Sequence, residues 1–291
     1  MSNRGPIQAR LDEVLDLLGK PEARTRFGGW RYSENGQILP VGKGMWATAD
    51  RVGPYCHTFI DPDSGEAACF ATLTEGGTRS MLALRVSDGE IEALVARPAL
   101  FGGGGAFGDG AAALDASDLD PRWLEPIHAS ERETREELVR VADAYFTGLE
   151  NNDGLGDYPF ADDCIRIENG FRTTGVPAAS DAGKTPYLEA FRSLSARQQF
   201  ETGYFRFVDR IRDRRYPVVD RERGLVFAFA FFDHSGTVRE YQLADGTPRR
   251  GVDRPFSWMI AEGFRIEQGL LTRIEALMTE VPYGMKAGWP A

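Results

Sequence analysis

Residues 225–232 read LVFAFAFF, eight apolar side chains in succession. A strand with one face in water alternates apolar and polar residues, because successive side chains point to opposite faces. Here both faces must be covered, so the segment is expected to be a central strand sandwiched between helix and sheet or between two sheets. Segments 204–216, 255–267 and 270–280 also read as strands, punctuated by DHSG at 233–236 and DG at 245–246.

With 291 residues the chain exceeds the roughly 100–200 that one core usually organises, so two domains are expected. The first half supplies a second set of elements. Residues 8–25 carry Leu11, Val14, Leu15, Leu17 and Leu18 at helical spacing. Strand-like segments follow at 31–36, 45–52, 55–60, 67–74, 80–86 and 90–97, separated by turn signals in the manner of an antiparallel meander. The run GGGG at 102–105 has no Gly-Lys-Ser/Thr after it and reads as linker rather than phosphate loop. The expected division is 1–98, a linker at 99–129, and 130–291.

In the second half SERE at 130–133 matches a capping box opening a helix over 130–150. Leu138, Val141, Tyr145 and Leu149 fall on its apolar stripe, which points the Tyr145 phenol inward. NNDG at 151–154 stops the helix, and a shorter one is expected over 186–199.

The halves share an ordered repeat: helix, strand with Glu-Asn-Gly (34–36 and 168–170), meander, and last strand with Ile-Glu-Ala-Leu (91–94 and 274–277). A duplicated chain can pack sheet to sheet as a dimer does, within one polypeptide.

A formal net charge of -10 argues against a nucleic-acid surface. The arginines between 206 and 223, interspersed with Asp209, Asp213 and Asp220, read as a solvated strand face. Cys56, Cys69 and Cys164 show no C-x-x-C spacing, so neither a disulfide framework nor a zinc site is signalled and a reducing cytoplasm is expected. No apolar run reaches the ~18 residues that span a bilayer, and the N-terminus lacks the apolar core of a signal peptide.

The order of helix, acidic turn, strand, helix and curved sheet over 131–281 resembles the NTF2-like superfamily, which includes ketosteroid isomerase-like and polyketide cyclase-like (SnoaL-like) enzymes. The resemblance is carried by AYF at 144–146, FADDCIRIE at 160–168 and AEGFRIEQG at 261–269, and extends more loosely over 8–98. The whole chain also looks like two-part proteins pairing LPxGxGxW (39–46) with DCxRxENG (163–170) and RDRRxPVVDxxRG (212–224). The fold implied is α+β: two NTF2-like cones in tandem, helices packed on a curved antiparallel sheet, arranged as an intramolecular pseudo-dimer.

The same resemblance implies a site. Glu168 falls where ketosteroid isomerases have their general-base carboxylate, Tyr145 near their oxyanion-hole tyrosine, and Glu262 where they have a protonated aspartic acid. Glutamate in place of aspartate at both positions, and Asn169-Gly170 in place of a proline-bearing loop, set this chain apart from the steroid enzymes. An apolar cone desolvates a carboxylate and raises its pKa toward a range useful for proton transfer, and a phenol across the hollow can donate to an oxygen gaining negative charge. Arg166 shares strand parity with Glu168 and can hold it ionised or bind an acidic substrate group. Phe160, Asp163, Phe229 and Trp258 complete the expected substrate contacts.

The expected activity is thus a cofactor-independent lyase or isomerase acting on a hydrophobic aromatic or polycyclic molecule, with deformylation of lignin-derived diaryl compounds suggested by analogy. The alternative is a non-catalytic small-molecule or protein-binding module. No metal or cofactor and no nucleic-acid or membrane partner is expected, and homo-oligomer formation is left open. Structural readings compete at several positions: Tyr145 as a core aromatic, Glu262 as partner of a neighbouring arginine, Asp162 and Asp163 as helix caps, His234 as exposed in its turn and His128 as part of the linker. If the pocket lies in the first half, Tyr55, His57 and Lys43 are its acid–base candidates.

Overall fold

In the computed structural model the described residues are 4–98, 109–177 and 186–288; the glycine run at 102–105 lies outside them. The first unit comprises α1 (Arg4–Asp16), α2 (Glu22–Phe27), β1 (Arg31–Glu34), β2 (Gln37–Leu39), α3 (Met45–Thr48), β3 (Ala49–Asp61), β4 (Glu66–Glu75), β5 (Thr78–Ser87) and β6 (Glu90–Ala96). After α4 (Gly110–Asp115) the second comprises α5 (Arg135–Glu150), β7 (Phe160–Glu168), β8 (Phe171–Arg172), α6 (Pro186–Ser193), α7 (Ala196–Glu201), β9 (Arg210–Asp220), β10 (Leu225–His234), the small hairpin β11 (Glu240–Gln242) and β12 (Pro248–Arg250), β13 (Phe256–Glu267) and β14 (Leu270–Val281). Among the described residues, no helix is long and apolar enough to cross a membrane.

Both units follow the same path. Strand order β2-β1-β6-β5-β4-β3 in one six-stranded sheet is matched by β8-β7-β14-β13-β10-β9 in the other. In each, the last strand returns parallel to the first. The repeated Glu-Asn-Gly forms the same tight hairpin in both: Asn35 and Gly36 have φ of 47° and 75°, Asn169 and Gly170 of 44° and 81°. Two consecutive positive φ values are what a two-residue turn of this hand requires, and Asn followed by Gly is the pair that tolerates them. The side chain then ties the turn to the returning strand. Asn35 Nδ2 donates to the Val95 carbonyl at 3.0 Å while Val95 N–H donates to Asn35 Oδ1 at 2.7 Å. Asn169 makes the same pair with Met278 at 3.1 and 2.8 Å. The motif thus marks a fold-determining position, shared by both halves.

The two-sided strand β10 has a helix on one face and a sheet on the other. Val226, Ala228, Ala230 and Phe232 enter the core beneath α5, and Phe227, Phe229 and Phe231 face the first sheet. There Phe59 and Phe70 meet Phe227 at ring-centroid distances of 5.4 and 5.2 Å. Full burial of each such ring is worth roughly 1.5–3 kcal/mol. The sheets approach so closely at Gly263 that a Cβ there would lie 2.6 Å from the Phe59 ring. The segment between the units contributes as well: Ala111, Leu114 and Trp123 are buried in this seam.

Polar contacts across the seam follow the repeat. Glu92 of the first Ile-Glu-Ala-Leu pairs with Arg215 on β9 of the second unit. Its counterpart Glu275 accepts from the Tyr55 hydroxyl at 2.9 Å and meets His57 Nδ1 at 2.7 Å, both on β3 of the first unit. Since β3 and β9 hold equivalent places in their sheets, the contacts are reciprocal, as across a two-fold interface.

Several local expectations are corrected. The helix over 8–25 is two helices, because Gly19 adopts φ 73° and Pro21 follows it. Residues 45–48 form one helical turn before β3 begins. The capping box that opens α5 is Thr134–Glu137, not Ser130–Glu133: the pattern occurs twice, and the box adjoining the first turn is used, whereas Ser130 sits in a separate 3-10 turn. The 186–199 helix is two, the second capped by Ser195. Residues 204–207 are a 3-10 turn, so that strand starts at Arg210. Asp162 and Asp163 cap no helix; they lie in β7, where the register jumps between Phe160↔Leu271 and Ile165↔Arg273 and leaves both side chains exposed. His234 is fully buried, stacked on Phe256 at 4.4 Å, because β10 continues through Asp233 and His234; burial pushes the imidazole down to about 4. The arginine-rich strand is ion-paired rather than simply solvated. Arg210 and Arg212 pair with Asp233 at 2.7 and 2.9 Å, and Arg214 pairs with Glu150 at 2.6 Å.

Candidate active site

Pairing of β7, β14, β13 and β10 sets Glu168, Ala276, Glu262 and Ala228 in one row, and Arg166, Ile274, Phe264 and Val226 in the next. Residues in register share a face, here the concave face under α5. Strands lie about 4.8 Å apart, so the Glu168 and Glu262 backbones are separated by roughly 10 Å with only the Ala276 methyl between them. The residues that flank Glu262 in this row, Ala276 and Ala228, are both small.

The amphipathic stripe of α5 brings Tyr145 down from above. Its ring packs against Phe264 at 5.3 Å, Phe200 at 5.5 Å and Phe160 at 6.0 Å, and the residue is 2% exposed. The phenol lies within reach of the Glu262 carboxyl and of the Arg166 guanidinium. Burial, then the adjacent Glu262, hold the phenol well above its usual pKa. For Glu262 burial is the largest influence; the Tyr145 hydrogen bond opposes it, Glu168 reinforces it, and the carboxyl is pushed up to about 8. Glu262 is therefore a neutral acid at pH 7, and its Oε2 is buried without a partner among the described residues.

Arg166 is buried between Phe205 and Phe200, its guanidinium 5.1 and 6.0 Å from their ring centroids. Nη2 donates to Gln199 Oε1 at 2.6 Å, Nε donates to Thr173 Oγ1 at 3.2 Å and lies 3.3 Å from Glu168, and Nη1 has no partner among the described residues. Burial works against the charge, but Glu168, Tyr145 and Glu262 leave Arg166 more basic than usual. Gln199 is itself fixed, donating to the carbonyls of Thr173 and Phe191 at 2.6 and 2.8 Å. Glu168 has a side chain 20% exposed, whereas Glu262 is 2% exposed.

The fold thus gathers Tyr145, Glu262, Arg166, Glu168 and Phe160. Two expected contacts fall elsewhere. Asp163 is exposed and pairs with Arg122 at 2.6 Å; Phe229 points from the opposite face of β10 into the seam, under Arg215 at 5.3 Å. The parity of a strand buried on both faces cannot say which face lines a hollow. Trp258 shares the concave face with Glu262 but lies four residues along β13, edge-on to His234 at 4.7 Å. Thr173, Gln199, Phe200 and Phe205 were missed; only the apolar spacing of Phe200 signalled any of them. Glu262 is not an arginine-paired surface carboxylate, because β13 is interior to its sheet.

The equivalent cup of the first unit is differently furnished. There the two rows read Glu34, Ala93, Leu84, Cys69 and Tyr32, Ile91, Val86, Ala67. Tyr32 stands where Arg166 does, and Leu84 where Glu262 does. Glu34 accepts from Met45 N–H at 2.6 Å and pairs with Arg97 at 2.8 Å, while Met45 and Trp46 are buried beside it. The 39–46 motif is the loop that does this: a Cβ on Gly44 would lie 2.1 Å from the Glu34 carboxylate. Of the first-half candidates, Tyr55 and His57 are buried with Glu275 in the seam and Lys43 is exposed, so they do not form one site.

A separate cleft of about 370 Å³ runs where the inter-unit segment crosses the β13–β14 turn, lined by Arg122, Pro126, His128, Glu267 and Leu270 among others. Its principal charges neutralise one another, Arg122 meeting Glu267 at 2.9 Å. Among the described residues, no group of three or more His, Cys, Asp or Glu is placed to hold a metal ion.

The model of a family described as a domain of unknown function, DUF8021, matches residues 131–278. No curated protein matches the chain. Solved structures with similarity to half of it include a de novo designed protein with a curved β-sheet (14% identity, TM-score 0.27, 50% of this chain and 88% of that one). Others are a Bacillus subtilis protein named as a candidate isomerase (8%, 0.29, 50% and 87%) and AclR, named as a candidate hydroxylase, from Streptomyces galilaeus (12%, 0.28, 50% and 91%).

Proposed function

The chain belongs to the DUF8021 family, and we propose that its second unit is an NTF2-like pocket for cofactor-independent acid–base chemistry, a lyase or isomerase reaction on a hydrophobic aromatic or polycyclic molecule. The observation that carries this reading is Glu262: a buried carboxyl raised to about 8 and hydrogen-bonded to a buried tyrosine. With Tyr145 donating to Glu262, the protonated Oε2 is free to donate in turn to a substrate oxygen. Glu168, beside Arg166 and closer to solvent, is the group placed to accept a proton from carbon or from a hydroxyl. As the proton moves to Glu168, the electron pair it leaves passes to the substrate oxygen, where Glu262 and behind it Tyr145 stabilise the charge. The proton then returns from Glu168 to another atom in an isomerisation, or to the leaving group in an elimination.

The catalytic unit is taken as 130–291, with 1–98 as a reduced companion whose cup is filled and 99–129 as the connection. Three free cysteines fit a reducing compartment such as the cytoplasm. The test is turnover of diaryl diols and enone steroids by the wild type and Glu168→Gln. Loss of about 100-fold or more is expected for general-base removal; undiminished turnover in the variant removes Glu168 from the role. Ligand affinity without turnover in the wild type would make the cup a binding module.

A further inference from the structure

We infer that the substrate carries a carboxylate, bound by Arg166 Nη1 on the sheet face beneath α5, beside Glu262. This rests on the second unit being a ligand pocket and deepens that reading by naming the substrate's recognised group. Three observations lead to it.

The first is satisfaction. Nη2 of Arg166 is on Gln199, Nε faces Thr173 and Glu168, and the Tyr145 phenol lies beside the guanidinium; Nη1 has no geometric hydrogen-bond partner among the described residues. A fully buried cation with an unpartnered N–H is costly and is normally completed by an acceptor. The contact to Glu168 is long, at 3.3 Å, and involves Nε, so it leaves Nη1 unused.

The second is positioning. Gln199 is fully buried and locked by two backbone carbonyls, and the flanking Phe200 and Phe205 rings restrict the guanidinium plane. That geometry presents Nη1 in one direction, to a charge-assisted contact. The other unpartnered buried atom of the cup, Glu262 Oε2, belongs to the adjacent row of the same sheet face. A carboxylate accepts from Nη1 as a charge-assisted pair, while Glu262 beside it keeps its own proton for the reacting oxygen.

The third is the comparison between repeats. Both copies keep the Glu-Asn-Gly hairpin, with Glu34 and Glu168 in equivalent places. The residues aligned with Arg166 and Glu262 in the first copy are Tyr32 and Leu84. The buried guanidinium and the buried carboxyl are thus found together in the second unit and not at the equivalent places of the first.

The experiment is binding of naphthalene carboxylate and its neutral isostere naphthalene carboxamide, followed by intrinsic fluorescence at pH 6.5 with the full chain. The wild type is expected to prefer the carboxylate by about 10- to 100-fold, the size of a buried charge-assisted contact. Arg166→Met is expected to abolish that preference and Arg166→Lys to retain part of it. Thr173→Val, which loosens the guanidinium without removing its charge, should reduce the preference several-fold, and it serves as the decisive variant if Arg166→Met does not fold. Above pH 8, ionisation of Glu262 should weaken the carboxylate in the wild type and leave the carboxamide unchanged. No preference in the wild type, no binding of either probe, or a preference that survives loss or loosening of Arg166 overturns the inference. Glu168→Gln separates the two readings: it should keep the carboxylate preference while losing turnover, so intact turnover there would sink the assignment of the base and leave this inference standing.

Discussion

Replacing Glu262 with glutamine should stabilise the protein at alkaline pH, although it removes a residue from the proposed site. An unfolded glutamate titrates near 4.5 and the folded Glu262 near 8. Between those values the native state holds one proton that the unfolded state has lost, so unfolding free energy falls by ~1.4 kcal/mol per pH unit as pH rises. The loss is absent below pH about 4.5, accumulates to a ceiling of roughly 5 kcal/mol at pH about 8, and is constant above it. The substituted amide would keep an acceptor for the Tyr145 hydroxyl and a donor at the Oε2 position, fill the same volume, and carry no proton to lose. Urea denaturation at pH 5, 6.5 and 8.5 measures the effect through the midpoint and slope. Wild type and Glu262→Gln should be similar at pH 5, and the variant should be the more stable by several kcal/mol at pH 8.5. Parallel pH profiles for the two proteins would refute the argument, because they would mean that Glu262 ionises in the folded state as freely as in the unfolded chain.

Two further outcomes follow from the repeat and the seam. Asn169→Ala and Asn35→Ala should each cost about 2–4 kcal/mol by thermal or chemical unfolding, from the lost pair of hydrogen bonds plus strain at positive φ. The matching glycine variants should recover only the strain; a fully neutral Asn169→Gly would show that the side-chain bonds to Met278 contribute nothing. Gly263→Ala should destabilise by about 1–3 kcal/mol, since the added methyl meets Phe59 and Phe70 across the two sheets. An unchanged melting temperature would mean that the sheets are not held at that distance.

Much of the architecture could be read from residue order because it rests on periodicity and turn chemistry. Eight apolar residues in a strand require cover on both faces wherever the chain places it, and Asn-Gly at equivalent points in two meanders selects the same hairpin twice. The same logic put Tyr145 on the inner stripe of its helix and gave Arg166 and Glu168 one parity. It could not choose between faces. Phe229 and Ala228 are neighbours in sequence, yet one packs in the seam and the other floors the cup, and only the docking of α5 on one side and the first sheet on the other separates them.

Charge state lies further still from the sequence. Glu262 and Glu275 are both glutamates on central strands. One becomes a neutral acid because Tyr145, Phe264 and two alanines exclude water around it, while the other reaches across the seam to a tyrosine and a histidine. Side-chain periodicity is a property of the local backbone and is written in the order of residues. Desolvation and partner choice depend on what the rest of the chain brings within a few ångströms, and that was decided only when the two sheets closed back to back and the helix closed over one of them.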